Sequence, residues 1–370
     1  GVLGKKARWD ADTLVIEEMP ISWLKQREIL APYRLVRQMR ASALVTGPLL
    51  ARWGKARVAL PGGCAIGTRP IDIHIDGLKA MGAKIAIKEG DMILTAPHRG
   101  LKAIHYRMHY PSVGATQNLM MAASLIAGTT TLDNAATEPE IDDLASLLNK
   151  MGAKIKKTGA RRYCIEGARW LKGVTHAIIP DRIETGSFAI FAALVAGSKI
   201  TLKHCEPGHL GGLWRLLKKS GVSVTPAADS VTVSTLRHFR PKAVDMTTSP
   251  HPGFPTDLQP LWMALMTTAK GHCTIDETVF EKRFLHAAEM ARMGAMISIH
   301  ANKAVVQGVS RLNGAAVMAG DLRAGAGLVA SALAAHGQSI ISRIYHIERG
   351  YENLEKKLAK LGADIHRVKE

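Results

Sequence analysis

Residues 78–96 read LKAMGAKIAIKEGDMILTA. Apolar positions at helical spacing run into Gly82, a residue that takes the left-handed conformation closing a helix without strain, and the segment beyond it alternates apolar and polar around a turn at Glu89 and Gly90. The same signal returns as LNKMGAKI around Gly152, LKKSGVSV around Gly221, EMARMGAMI around Gly294 and KLAKLGADI around Gly362, at intervals of 70, 69, 73 and 68 residues. Upstream in each copy lies a second helix rich in Ala and other small residues, such as NLMMAASLIAGTTTL and GLVASALAAHGQSIIS. A period near 70 exceeds that of an ordinary solenoid repeat and predicts α/β modules of βαβαββ type. A short alternating strand is expected after each of the five glycines, Gly362 included.

The opening GVLGKKARWDADTLVIEE fits only the end of such a module, with Gly4 in the glycine slot. The pattern therefore reads as five modules preceded by the tail of another, on a chain that starts with Gly and is expected to be truncated at its N-terminus. The segment GVTHAIIPDRIETGS (173–187) marks a crossing between two domains, 1–177 and 178–370, and the pseudo-symmetry predicts a cleft between them.

Composition bounds the chemistry. A chain of 370 residues, 47% hydrophobic, can bury two cores of ordinary size. Cys64, Cys164, Cys205 and Cys273 show neither CxxC spacing nor the density of a disulfide framework, which points to a reducing, cytoplasmic setting without structural zinc. No charge-free run of about eighteen apolar residues and no signal-peptide pattern is present, so neither a membrane protein nor a secreted one is expected. The net charge of +18 suits a nucleic-acid binder, but the basic residues are scattered, there is no basic tail and only 5% of residues are aromatic. A polyanionic small substrate drawn into a cleft accounts for some positive field equally well.

One loop carries unusual chemistry. In PGGCAIGTRP (61–70), two glycines precede Cys64 and Arg69 follows it five residues later. The glycines leave the backbone pliable, and a guanidinium nearby lowers a thiol's pKa or holds an anion. Read by itself, Cys64 is equally a small buried hydrophobe.

PGGCAIGTRP, PSVGATQNLMMAA, PDRIETGSF, HPGFPTDLQP, VFEKRFLHAAEMARMGA, DLRAGAGLV and RIYHIERGYENLEKKLAKLGA, in this order along the whole chain, resemble the UDP-N-acetylglucosamine 1-carboxyvinyltransferase family of enolpyruvyl transferases. The resemblance implies two inside-out α/β barrels of three modules each, facing one another across a substrate cleft. It implies addition of the sugar 3′-hydroxyl to C2 of phosphoenolpyruvate, protonation of C3 and loss of phosphate, a committed step of peptidoglycan synthesis that serves cell-wall biogenesis, cell shape and cell division. Cys64 then stands where the family has its proton donor, which also forms an adduct with phosphoenolpyruvate; a thiol suits both tasks because it titrates near neutrality and its thiolate is a strong nucleophile.

Asp257, in FPTDLQ, matches the base, although by itself it reads as a residue at the N-terminus of the helix that follows. Arg40, Arg69, Arg323 and Arg349 match arginines that hold the phosphates and the carboxylate. They sit beside Gly, Pro or small residues and are expected to lie off regular helix faces. Asp321 and Arg283 correspond to cleft residues. The nucleotide sugar is expected along Arg69, Pro70, Ile71, Asp72 and Ile73, along Tyr110, Ser112, Val113 and Gly114, and at the backbone of Val279. A Ser-Val-Gly turn opening the helix ATQNLMMAAS offers amide donors to a phosphate. Tyr110 departs from a lysine that some members have there.

No metal or organic cofactor is implied, because phosphoenolpyruvate supplies the activated group. The partners implied are UDP-N-acetylglucosamine and phosphoenolpyruvate, without nucleic acid or membrane. A Lys-Asn pair that the family carries in its first module is absent from these 370 residues, so the chain by itself is expected to release no phosphate until an upstream module is supplied. Two alternatives stay open: a truncated, non-catalytic nucleotide-sugar binder, and the sister transferase that uses shikimate 3-phosphate, against which the cysteine loop argues.

Overall fold

The computed structural model describes residues 5–18, 30–31, 40–60 and 71–368, the side chains of residues 18, 30 and 40–42 excepted. Within them the βαβαββ module is visible strand by strand. Leu30–Ala31 lies parallel to Lys55–Ala59, with the helix Thr46–Trp53 between them in sequence. The helix Asp72–Ala80 follows, then the strands Lys84–Lys88 and Asp91–Thr95, the second of which returns antiparallel beside Lys55–Ala59. The spatial order of the four strands is thus first, second, fourth, third. The sheet of His105–Arg107, Thr129–Asp133, Arg162–Glu166 and Lys154–Gly159 repeats it, as does that of Met246–Thr247, His272–Asp276, Lys303–Gln307 and Met296–His300. A parallel pair needs a helical crossover and an antiparallel pair only a tight turn, so the module spends one helix on each task except the last. Glu89 and Gly90, at φ 54° and 80°, supply the two positive dihedrals of that last turn.

Gly82, Gly152, Gly221, Gly294 and Gly362 all have positive φ, between 91° and 118°. An L side chain at such a dihedral is strained by about 1–2 kcal/mol, which explains why the repeat is legible as glycine.

Two modules depart from the pattern. The sheet of Lys199–Lys203, Ser230–Ser234 and Ser223–Pro226 has three strands. After Gly362, residues 363–368 form no strand, although their sequence alternates as expected for one. Alternation describes the side chains only; a strand also needs a neighbour for its backbone groups, and no hairpin arm follows among the described residues. In that module the parallel pairing is carried by Leu312–Asn313 with Ala335–His336 and Ala316–Met318 with Ile340–Ser342. At the other end, Lys5–Asp10 and Thr13–Glu18 pair in the expected place as a hairpin that joins no other strand among the described residues, with Trp9 72% exposed. Gly4 lies outside the described residues.

The chain forms two compact units that change over at Ile178 and Ile179. Leu50, Leu78, Met81, Leu119, Met120 and Leu132 belong to the core of the first. In the second, every residue of the helix Gln259–Thr267 is buried, as a sequence apolar all round requires. Each large side chain so buried contributes about 1.5–3 kcal/mol. The helix Leu322–Leu333 crosses it so closely that a Cβ on Gly327 would come within 2.9 Å of the Pro260 carbonyl oxygen. No described helix is long and apolar enough to cross a membrane.

Candidate active site

In the second compact unit the N-terminal ends of neighbouring inner helices bring candidate residues together. Asp257 lies in the 3-10 turn Thr256–Leu258 that leads into the buried helix Gln259–Thr267. Its Oδ1 accepts from Arg283 Nη2 at 3.0 Å, and its Oδ2 accepts from Arg323 Nε at 3.2 Å and Nη2 at 3.0 Å. The Arg283 side chain is almost wholly buried and that of Arg323 largely so, while Asp257 keeps 36% exposure. One carboxylate thus compensates two guanidinium groups taken out of water and still presents an edge to a reactant.

Arg323 stacks over the Tyr351 ring at 5.3 Å, and the Tyr351 hydroxyl pairs with Ser187 Oγ at 2.8 Å. Burial works against the Arg323 charge, but Asp257 and Tyr351 outweigh it and raise the pKa above its ordinary value. Asp321 caps the helix Leu322–Leu333, accepting from the Arg323 and Ala324 amides at 2.8 and 3.0 Å. Arg323 therefore stands in the first turn of a regular helix, which corrects the expectation that it lies off one. Gly325 and Gly327 serve close packing: a Cβ on Gly325 would meet Ile347 Cγ1 at 2.5 Å. Arg349 is exposed at the end of the 3-10 helix Ile344–Arg349, and Gly350 beside it packs on Leu322, so this corner adjoins the Arg323 helix. The Val279 amide donates to Glu277 Oε1 at 2.9 Å, in the turn that leads to Arg283.

In the first compact unit the two expected nucleotide-sugar segments meet. Ile71 precedes the helix Asp72–Ala80, Ile73 is buried, and Asp72 Oδ2 lies 3.4 Å from His109 Nε2, next to the half-exposed Tyr110. Ser112 caps the helix Val113–Ala123 by accepting from the Ala115 amide at 3.3 Å. The helix thus begins at Val113, two residues before the expected start, because Ser112 is the capping residue and Gly114 adapts to the first turn.

Sequence reasoning passed over His74 here. Asn118 Nδ2 donates to Thr46 Oγ1 at 2.9 Å and to His74 Nδ1 at 3.1 Å, while Asn118 Oδ1 accepts from the Gly47 amide at 2.8 Å. The accepting Nδ1 puts the proton of the neutral ring on Nε2, the atom that faces Gly114. Burial lowers the His74 pKa to about 4 against the opposing charge of Asp72, which keeps the ring neutral. The only signal for it was its position directly after the Arg69–Ile73 stretch.

Cys64, Arg69 and Pro70 lie outside the described residues, as does the Arg40 side chain; the Arg40 backbone opens the 3-10 helix Arg40–Val45. Among the described residues no group of three or more His, Cys, Asp or Glu is arranged to hold a metal ion.

Residues 3–358 match the family model for EPSP synthase (3-phosphoshikimate 1-carboxyvinyltransferase). Over 338 residues the chain is 51% identical to the UDP-N-acetylglucosamine 1-carboxyvinyltransferase of Granulibacter bethesdensis, spanning 91% of this chain and 80% of that protein. Identity to the enzyme of the same name from Caulobacter vibrioides is 51% over 339 residues, 92% of this chain and 78% of the other. The crystal structure of the enolpyruvyl transferase NikO from Streptomyces tendae matches 99% of this chain and 85% of its own at 26% identity and a TM-score of 0.85. An EPSP synthase structure from Acinetobacter baumannii shares the fold at a TM-score of 0.70 and 16% identity. This chain belongs to the EPSP synthase family and is an enolpyruvyl transferase of two-domain α/β fold.

Proposed function

We propose that this chain transfers the enolpyruvyl group of phosphoenolpyruvate to the 3′-hydroxyl of UDP-N-acetylglucosamine, a step of peptidoglycan synthesis in the cytoplasm. The observation that carries the reading is the Asp257 carboxylate, partly exposed and held between Arg283 and Arg323, in a chain half of whose aligned residues match carboxyvinyltransferases named for that nucleotide sugar. In this proposal the sugar oxygen bonds to C2 of phosphoenolpyruvate as its proton passes to Asp257, and C3 takes a proton from Cys64. The C2–O bond to phosphate then breaks with its electron pair leaving on the phosphate, C3 returns a proton to the Cys64 thiolate, and the C2–C3 double bond reforms in the enol ether. Arg40, Arg69, Arg323 and Arg349 hold the phosphate and carboxylate charges, and Arg283 and Asp321 keep Asp257 and Arg323 in place. The segments Ile71–Ile73 and Tyr110–Gly114, with the Val279 backbone, receive the nucleotide sugar, whose diphosphate meets the amide end of the helix Val113–Ala123.

The test is release of inorganic phosphate from phosphoenolpyruvate mixed with UDP-N-acetylglucosamine, run on the chain alone and on the chain joined to the leading module of the Caulobacter vibrioides relative. Release that requires both substrates is expected from the joined protein. Release with shikimate 3-phosphate instead, or silence with both acceptors in both forms, overturns the reading.

A further inference from the structure

We infer that Glu277 is a positioning residue for this reaction: its buried carboxylate ties the turn carrying Asp257 to the turn that leads into Arg283. The inference rests on the transferase reading of Asp257. Glu277 directly follows the strand His272–Asp276 and is 2% exposed. Its Oε1 accepts from the Thr248 hydroxyl at 2.9 Å and from the Val279 and Phe280 amides at 2.9 and 3.1 Å; its Oε2 accepts from the Thr256 hydroxyl at 2.9 Å. Four donors from three segments converge on one side chain.

A carboxylate without donors would not be tolerated at that depth. What sets this one apart from a merely satisfied core group is where its donors lie. Thr256 immediately precedes Asp257. Val279 and Phe280 form the turn before Arg283, whose Nη2 holds Asp257 Oδ1 at 3.0 Å and whose guanidinium lies 5.6 Å over the Phe280 ring.

The links close a circuit from Asp257 through Thr256, Glu277, the Val279–Phe280 turn and Arg283 back to Asp257. Thr248 anchors the circuit to the sheet, its amide donating to the Asp276 carbonyl at 2.9 Å, and also grips the turn: its hydroxyl accepts from the Thr278 amide at 2.9 Å, and its carbonyl accepts from the Thr278 hydroxyl at 2.5 Å. Glu277 therefore fixes the backbone beneath Asp257 and the partner of its side chain together. A misplacement of about 1 Å at a reacting group lowers turnover on the order of a hundredfold, so a rigid link is worth keeping there.

Hydrogen exchange read by mass spectrometry on the 370-residue chain tests the circuit without requiring turnover. Glu277→Ala is expected to speed exchange at least roughly tenfold at residues 256–258 and at 279–283, leaving the strands Lys199–Lys203 and Ser230–Ser234 unchanged. Thr256→Val, which breaks one arm, should loosen 256–258 alone, and Glu277→Gln, which keeps an acceptor for the two amides, should restore protection at 279–283. Unchanged exchange at both turns in Glu277→Ala, or an equal rise throughout the second compact unit, overturns the inference. If the alanine variant does not fold, unchanged exchange at 256–258 in Thr256→Val overturns it.

In the form that releases phosphate, Thr256→Val should lower kcat about tenfold, leave KM for UDP-N-acetylglucosamine within about threefold, and add nothing in a Glu277→Ala or Glu277→Gln background. Additive effects count against the circuit. Lack of phosphate release by the unmutated protein would sink the transferase reading alone, and the exchange pattern would still decide whether Glu277 holds the two turns.

Discussion

In the proposed reaction Asp257 accepts a proton while guanidinium groups engage both of its oxygens, and its partly open carboxylate is compatible with that role. Asp257→Asn keeps the shape and one acceptor oxygen but turns an amide NH2 toward one of the two arginines and cannot take a proton. It is expected to lower kcat at least about a hundredfold while UDP-N-acetylglucosamine affinity, measured by calorimetry, changes less than about threefold. Near-normal turnover would remove Asp257 from the base role. The thiols separate in a similar way. Burial raises the pKa of Cys205 and pushes that of Cys273 up to about 12, and Cys164 is half-buried with its sulfur against the Thr131 and Thr158 hydroxyls. At neutral pH the epoxide fosfomycin should therefore label Cys64 first, and faster with UDP-N-acetylglucosamine present; mass spectrometry that finds another cysteine modified first would show Cys64 to be the inert, structural kind. Asp257, Arg283 and Arg323 were legible through sequence resemblance because each stands in a short contiguous motif, FPTDLQ, EKRF and DLRAG. Glu277 and His74 were not, because burial of a carboxylate or an imidazole is decided by distant segments that no local stretch of sequence records.

At the scale of elements, the glycine that ends each module's second helix was legible because it answers a backbone demand and not a packing one. At Gly152, φ is 118° and the nearest atom to an added Cβ is 3.9 Å away, so Gly152→Ala isolates dihedral strain. A loss of about 1–2 kcal/mol in urea unfolding is expected, and an unchanged midpoint would mean that the segment relaxes into another cap. Gly327 answers the opposite demand: its φ is ordinary for a helix, but the Pro260 carbonyl leaves no room for a methyl group. Gly327→Ala should cost about 1–3 kcal/mol through overpacking of the second compact unit, read as a lowered thermal midpoint. The two kinds of glycine look alike in sequence, and this is why Arg323, beside small residues, was expected off a helix face while it stands in the first turn of a capped helix. The strand expected after Gly362 failed for a related reason, since periodicity describes which side chains share a face and is silent on whether a partner strand exists. Five modules could be read from period and alternation; whether each completes its sheet depended on pairings between segments far apart in sequence.

Across the whole molecule, each compact unit carries a buried histidine held well below its ordinary value. His74 in the first and His286 in the second are both lowered from 6.5 to about 4, mainly by burial, with Asp72 opposing the shift in one and Asp321 opposing and Arg283 assisting it in the other. The unfolded chain takes up these protons near pH 6.5 and the folded chain only near pH 4, so between those values the unfolded state binds more protons and stability falls as pH falls. Each histidine withdraws up to roughly 3 kcal/mol across that window. Asp133 acts lower down and in the first unit: hydrogen bonds from Arg162 and His105 bring it from 3.8 to about 2, so its contribution is complete above about pH 4 and is lost as pH falls through 2. The second unit carries a further such group, His346, which burial and the neighbouring Arg349 and Arg343 hold below its ordinary value against the charge of Asp321. Thermal unfolding followed from pH 7 to pH 3 is expected to show both units weakening below pH 6.5. His74→Leu should flatten the pH dependence of the first transition, His286→Leu that of the second. Transitions that keep their slopes in both variants would show that these rings titrate alike in the folded and unfolded chain, and would place the acid sensitivity among the exposed carboxylates.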